Sequence, residues 1–344
     1  MTELSSAVTC PHCGPSTESE SDILLSVLVP YFNEEEVLPA FHDRLMPILE
    51  GIDGHCEVIY IDDGSSDKSQ SIVADFESEH STIVSLNLSR NFGKEAAMSA
   101  GLEYSRGQVV TILDADLQDP PELLPEMLDK WREGFDVVNM QRKERHGETW
   151  MKQKSAAWFY RLMNSVSQMD VPENVGDFRL LSRRVVEHIN QLPERNRYMK
   201  GLFSWPGFNT TTLQFERDPR LVGETKWNYL KLVGLAIDGI SSFSIRPLRL
   251  ATLLGALMAV VAFLYGFIII CKTVFLGEPV VGYPSMMVVQ LGLGGIQLLC
   301  IGLMGEYIGR IFIETKRRPL FIVQSNIEKQ AKKASLQNNQ TEDK

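Results

Sequence analysis

The chain has 344 residues, with 34 Lys and Arg against 44 Asp and Glu, and a formal net charge of −10. That length suits one large domain or two modest ones, and the acidic balance argues against a nucleic-acid binder with a basic surface. The five cysteines are scattered, which favours a reducing compartment over a disulfide framework.

Residues 1–22 are rich in Ser, Thr and Glu and read as a disordered tail without a signal peptide. Cys10-Pro-His-Cys13 could form half of a zinc site, but no second Cys/His pair stands at a matching distance. Ile23 to Val29 is an apolar strand. Asn33-Glu34-Glu35-Glu36 then opens an amphipathic helix with Val37, Leu38, Phe41, Leu45 and Ile48 at helical spacing. Cys56 to Ile61 is a second strand, broken by the turn Asp62-Asp63-Gly64-Ser65-Ser66-Asp67, where Asp67 suits an N-cap. Thr82 to Leu88 is a third strand, and a helix follows through Ala96 to Tyr104. Val109 to Leu113 is a fourth, and Asp136 to Met140 a short fifth. Strands alternating with helices predict a parallel sheet with right-handed crossovers.

Trp150 to Met169 reads as an amphipathic helix, and a further helix is expected around Arg184 to Gln191. Residues 226–249 look like a helix lying at a membrane surface. Leu250 to Cys271 and Met286 to Ile308 are apolar for about the length of a bilayer crossing. Arg246 and Arg249 flank one end of the pair, and Arg310, Lys316, Arg317 and Arg318 the other, so the positive-inside rule places both termini and the main domain in the cytoplasm. Glycines in the second span offer surfaces for close helix packing, within the chain or in a homo-oligomer. Glu306 and Arg310 are spaced to pair. The polar segment after Ser325 reads as disordered. The expected units are therefore 1–22, 23–225, 226–249, 250–312 and 313–344.

Polar clusters follow each strand, and the most telling is Asp114-Ala115-Asp116-Leu117-Gln118-Asp119-Pro120-Pro121. Two carboxylates stand where a buried strand gives way to a helix, the edge at which open α/β sheets bind ligands. Hard oxygen anions one residue apart suit Mg2+ or Mn2+ that keeps water and phosphate oxygens as other ligands. Five such clusters at one edge suit a polar, phosphorylated ligand.

Val29-Pro30-Tyr31-Phe32-Asn33-Glu34, Asp62-Asp63-Gly64-Ser65 and Asp114-Ala115-Asp116 together resemble the family 2, GT-A type glycosyltransferases. A narrower resemblance is to the polyisoprenyl-phosphate glycosyltransferases, above all the bacterial bactoprenol glucosyltransferases of O-antigen modification. It rests on Ser89-Arg90-Asn91-Phe92-Gly93-Lys94-Glu95, Asn174-Val175-Gly176-Asp177-Phe178-Arg179-Leu180, Pro193-Glu194-Arg195-Asn196 and Gly305-Glu306-Tyr307-Ile308-Gly309-Arg310. The chain is also similar to the dolichol-phosphate mannose synthases. The resemblance implies a Rossmann-like GT-A domain, an interface helix and a two-helix anchor in a bacterial inner membrane. It implies transfer of a hexose, glucose from UDP-glucose in the nearest case, to undecaprenyl phosphate.

Residue by residue, the resemblance implies that Pro30, Phe32, Glu34, Ile61 and Asp63 hold the base and ribose. Asp114, Asp116 and Gln118 would coordinate Mg2+ or Mn2+. Lys94 and Ala115 join the donor-binding set. Arg142, Arg220 and Lys226 would contact diphosphate or lipid phosphate, and Asp177 would lie near the acceptor. Three other readings compete: a polyprenyl-phosphate transferase for another sugar such as mannose or aminoarabinose, a processive polysaccharide synthase, and a silent nucleotide-sugar sensor or membrane scaffold. Glu194-Arg195-Asn196-Arg197-Tyr198 stands where a processive synthase usually carries Gln-x-x-Arg-Trp.

Overall fold

The computed structural model describes residues 22–143, 175–195, 197, 199–216, 246–276 and 282–331. Within them eight strands form one mixed sheet. They are β1 (Ile23–Tyr31), β2 (His55–Asp62), β3 (Ser81–Leu88), β4 (Val109–Ile112), β5 (Val137–Arg142), β6 (Val175–Ser182), β7 (Thr210–Phe215) and β8 (Val323–Lys329). Their spatial order is β7-β5-β6-β4-β1-β2-β3-β8. The β1, β2, β3 and β4 pairings are parallel, as is β5 with β7; β6 runs antiparallel to β4 and β5, and β8 to β3.

The strands form because their apolar residues are buried on both faces, as a helix-covered sheet requires. On one face Val27, Val29, Val58 and Tyr60 pack against α1 (Leu38–Glu50), α2 (Ser69–Asp75) and α4 (Leu124–Arg132). On the other, Leu28, Ile59 and Ile112 pack against α3 (Lys94–Tyr104), α5 (Arg183–Gln191) and α6 (Met199–Ser204). α1 buries Leu38, Phe41, His42, Leu45 and Leu49, an i, i+3, i+4 stripe, with Leu49 in the place expected for Ile48. Asp67 is expected as the N-cap of α2, but that position falls to Lys68; Asp67 stands one residue earlier and accepts the Ser69 N–H at 3.0 Å.

Beyond the sheet, α7 (Arg246–Leu276) and α8 (Tyr283–Lys316) are longer than the expected spans. At 1.5 Å per residue they extend about 46 and 51 Å, against about 30 Å of bilayer hydrocarbon. Both are long and apolar enough to cross a membrane by length and composition, over Ala251–Ile269 and Gly292–Lys316. Their apolar side chains face outward: Phe263 is 74 % exposed and Leu298 71 %. The two helices run side by side, and Cys300 Sγ lies 3.9 Å from the Ala251 carbonyl across them. The expected pair forms too, with Arg310 Nη2 2.9 Å from Glu306 Oε1.

One further expectation is corrected. The segment after Ser325, read as disordered, continues β8 to Lys329, pairing Asn87 with Ser325 and Ile83 with Lys329. Its residues Val-Gln-Ser-Asn-Ile-Glu-Lys are too polar to announce a strand; backbone bonding to β3 supplies what hydrophobicity does not. β6 and β7 also went unread, the first because Gly176 and Asp177 interrupt its apolar run, the second because it is a half-exposed edge strand. The expected helix over Trp150 to Met169, the 226–249 interface segment apart from the start of α7, and the Cys10/Cys13 tail lie outside the described residues.

Candidate active site

The carboxyl ends of β1 to β4 meet at one edge and enclose a cleft of about 350 Å³. That volume fits a small ligand rather than a macromolecule. β1 contributes Pro30, Tyr31, Phe32 and Glu34, and β2 contributes Asp63. The loop after β3 and the start of α3 give Asn91, Gly93, Lys94 and Ala97, and β4 ends in Asp114, Ala115 and Asp116.

Hydrogen bonds between loops fix this edge. Asn33 adopts φ 55°, a left-handed conformation that Asn tolerates, and its Oδ1 accepts the Ser66 N–H at 2.8 Å. The Glu34 N–H donates to Ser69 Oγ at 2.9 Å. Asp62 Oδ1 accepts the Ser65 N–H at 2.8 Å. Asp63 accepts the N–H groups of Phe92 and Gly93 at 2.7 and 2.9 Å. Gly64, with φ +73°, sits so close to the next loop that a Cβ would lie 2.4 Å from the Arg90 carbonyl carbon. Gly64→Ala should therefore cost at least about 2 kcal/mol, lower the thermal midpoint and loosen the Asp63 side of the cleft. Ligand affinity at this cleft, measured by calorimetry, should fall with it.

The acidic turn is held just as firmly. Leu117 takes φ 59°, an uncommon conformation for a side chain of this type, with a strain of order 1 kcal/mol. The turn buries Leu117, while Asp116 lines the cleft. Arg44 from α1 braces the turn, donating to the Leu117 carbonyl at 3.4 Å and gripping Glu122 through Nε and Nη2 at 2.7 and 2.9 Å.

Residues 26–189 match the Glycosyl transferase family 2 domain, and residues 246–311 match the GtrB C-terminal hairpin. An uncharacterized glycosyltransferase of Synechocystis is 48% identical over 301 residues, covering 88% of this chain and 95% of its own. The bactoprenol glucosyl transferase of Shigella phage SfX is 46% identical over 301 residues, covering 88% and 99%. The chain belongs to the family 2 glycosyltransferases. A prophage bactoprenol glucosyl transferase homolog of Escherichia coli is 46% identical over 299 residues, covering 87% of this chain and 98% of its own. Among solved structures a mycobacterial protein is 19% identical, with a TM-score of 0.44 over 64% of this chain and 73% of that one, too remote to bear on function.

In this glycosyltransferase, Pro30, Phe32, Glu34, Asp63, Lys94, Asp114, Ala115 and Asp116 share the cleft wall. Ile61 is fully buried against Gly101 of α3, away from that wall. Gln118 is 7% exposed and gives its backbone N–H to Asp116 Oδ1 at 3.2 Å. Asp177 joins the site from β6 through Lys94, whose Nζ is 2.6 Å from Asp177 Oδ2 and 2.6 Å from Asp114 Oδ1. Arg142, at the end of β5, lies over Gly176, where a Cβ would come within 2.9 Å of Nη2, and 4.0 Å from Asp119. Arg220 and Lys226 fall outside the described residues.

A hard divalent cation fits this donor set. Asp114 and Asp116 present carboxylate oxygens to one cleft, and an ammonium already rests against Asp114. Among the described residues no group of three or more His, Cys, Asp or Glu could cage a metal. A cation here would complete its shell with water and phosphate oxygens, as Mg2+ prefers.

Several charged groups that sequence reasoning did not single out surround Asp177. Burial pulls the Lys200 ammonium below its usual value, partly offset by Asp177. Arg179 is 3% exposed, donates to the Gly176 carbonyl at 2.7 Å and lies 4.2 Å over the Phe203 ring. Burial would raise the Asp177 carboxyl, yet Lys94 and Lys200 outweigh it and hold the group below the usual range. Burial also opposes the charge on Lys94, but Asp114 and Asp177 keep it firmly protonated. Glu95 beside Lys94 was quoted in the motif without a role; its place near Asp177 depends on tertiary packing, which no local pattern reveals.

Glu95 accepts the Met199 N–H at 3.1 Å, and burial, then the Asp177 charge, push its carboxyl up to about 7. The folded state therefore binds this proton more tightly than the unfolded chain does. Glu95 favours folding below its unfolded pKa near 4.5, and that contribution is lost as pH rises toward about 7. Glu95→Gln should remove about 2–3 kcal/mol of this pH dependence. Thermal midpoints from pH 5 to 8 would check it: the wild type should lose stability over pH 5–7 relative to the variant, which should be the more stable at pH 8.

Proposed function

We propose that this glycosyltransferase moves a hexose, glucose from UDP-glucose in the leading case, onto undecaprenyl phosphate at the cytoplasmic face of a bacterial membrane. The product would be a lipid-linked sugar for cell-envelope glycans. The observation that carries this reading is the breadth of likeness to the bactoprenol glucosyl transferase of phage SfX. It runs over 88% of this chain and 99% of that one, and so takes in both the sheet and the apolar hairpin.

The chemistry agrees. Breaking the sugar–diphosphate bond puts negative charge on the leaving group, and positive groups aimed at it lower the barrier. A divalent cation held by Asp114 and Asp116, when bound, would supply part of that charge. Pro30, Phe32 and Glu34 form the wall suited to the nucleoside. Asp63 acts through the loop it bonds, fixing Phe92 and Gly93 and so the start of α3. Arg142, with Lys94 and Lys200, makes the Asp177 end cationic, as a phosphate acceptor requires.

A phosphate monoester is largely ionised near neutral pH, since its second pKa is about 6. A strong base is thus unnecessary, and a carboxylate held low by two lysines would make a weak one. Asp177 is assigned to positioning. In-line attack would invert the anomeric centre. The acceptor's lipid chain gives a physical reason for two apolar helices beside a soluble domain. Incubating the purified protein with a panel of nucleotide sugars, Mn2+ and undecaprenyl phosphate, then weighing the lipid, should reveal one added hexose. A long polymer would instead favour a processive synthase, and no product with any donor would sink the reading.

A further inference from the structure

The Lys94 ammonium ties together two carboxylates that the proposed reaction uses for different partners. Its Nζ lies 2.6 and 2.9 Å from the two oxygens of Asp114, on the donor side. It lies 2.6 Å from Asp177 Oδ2, on the acceptor side. An ammonium has three N–H donors; one bonds Asp114 Oδ2 and one Asp177 Oδ2, while Asp114 Oδ1 stands in ion-pair contact. In this state the Lys94 charge is committed to these two carboxylates.

A small divalent ion binds carboxylate oxygens at about 2.0–2.1 Å. It would need the Asp114 oxygens that Lys94 now occupies, and two cations would repel strongly at such separations. One of the two must leave. Lys94 is built to be the one that moves. It is the first residue of α3, its side chain is 43% exposed, and it follows Gly93, around whose would-be Cβ nothing lies within 4 Å. Its second partner, Asp177, lies at the end of the site where Lys200 and Arg142 add positive charge.

We propose that Lys94 is an exchangeable counter-ion: a divalent cation displaces it from Asp114, and the freed ammonium, still held by Asp177, binds the acceptor phosphate. Loading the donor side thereby prepares the acceptor side, and Lys94 is a positioning residue that couples them. The coupling rests on the acceptor assignment above; the displacement step does not. A lysine that contacted only the donor diphosphate, without a bond to Asp114, would weaken the binding of a metal ion alone much less.

The test uses the full chain in lipid nanodiscs, with Mn2+ alone followed by electron paramagnetic resonance. Lys94→Met and Lys94→Gln should bind Mn2+ about tenfold more tightly than wild type, and Lys94→Arg about as weakly as wild type. Farnesyl phosphate then serves as the acceptor probe. Mn2+ should raise its affinity about five- to tenfold in the wild type and in Lys94→Arg, and less than twofold in Lys94→Met. Unchanged Mn2+ affinity in both neutral variants would overturn the displacement and leave the acceptor assignment standing. An undiminished Mn2+ effect on farnesyl phosphate in Lys94→Met would overturn the coupling. Tighter Mn2+ binding in the neutral variants, with no farnesyl phosphate binding by wild type, would overturn the acceptor assignment and keep the displacement.

Discussion

Asp116→Asn should lower sugar transfer about 100- to 1,000-fold at submillimolar Mn2+, the range seen when one well-placed charge-stabilising group is removed from an active site. The exchange keeps size and shape but removes one of two carboxylates facing the cleft. It leaves Arg44 and Glu122, which brace the turn, in place. The thermal midpoint should therefore change little, separating a lost charge from a lost fold. Raising Mn2+ should recover part of the rate, because a weakened site refills by mass action. Asp114→Asn should also lower transfer, but it additionally frees Lys94 from one of its two partners. Transfer by Asp116→Asn equal to wild type at low Mn2+ would remove Asp116 from the cation site.

The largest stability effect is expected far from the cleft. Glu57 on β2 is fully buried, and accepts the Ser26 hydroxyl at 2.6 Å and the Arg106 backbone N–H at 2.7 Å. The Arg106 guanidinium donates to it at 3.0 and 2.8 Å and reaches on to Glu328 of β8 at 3.1 Å. Truncating Glu57 strands several donors at once. Glu57→Ala should cost about 3–5 kcal/mol, as when one partner of a buried ion pair is removed. Glu57→Gln should cost less, because it keeps the shape and one acceptor. Chemical denaturation of the detergent-solubilised protein would read the difference. Equal midpoints for Glu57→Ala and wild type would show that the pair adds nothing.

The parts of this molecule legible in its sequence are those where local and global physics agree. Val109 to Leu113 is apolar and β-branched, so the strand and the carboxylates at its end could be located without coordinates. The same holds for Asp62 to Asp67, whose turn residues bond as their types suggest. The apolar helices declared themselves by length. Other features depend on partners remote in the chain. Asp63 reads as a ligand-binding acid, yet both its oxygens hold the backbone of the loop after β3. Arg179 stands two residues from Asp177 on β6, whereas Lys200 is brought to Asp177 by α6, a packing that no local pattern reveals. β8 carries almost no apolar signal because its stability comes from an existing edge.

That last strand also sets an order of events during synthesis. Asn87 Nδ2 meets Ser325 Oγ at 2.9 Å across 238 residues of chain. At translation rates of about 5–20 residues per second, β3 would wait roughly ten to fifty seconds for its neighbour to leave the ribosome. Both apolar helices emerge in that interval, so their synthesis precedes completion of the sheet. A nascent chain stalled before Val323 would leave β3, paired with β2 on one side, with its other edge open to clumping with others. Cells making the truncated chain should accumulate protease-sensitive aggregate even though every residue lining the donor cleft is already present.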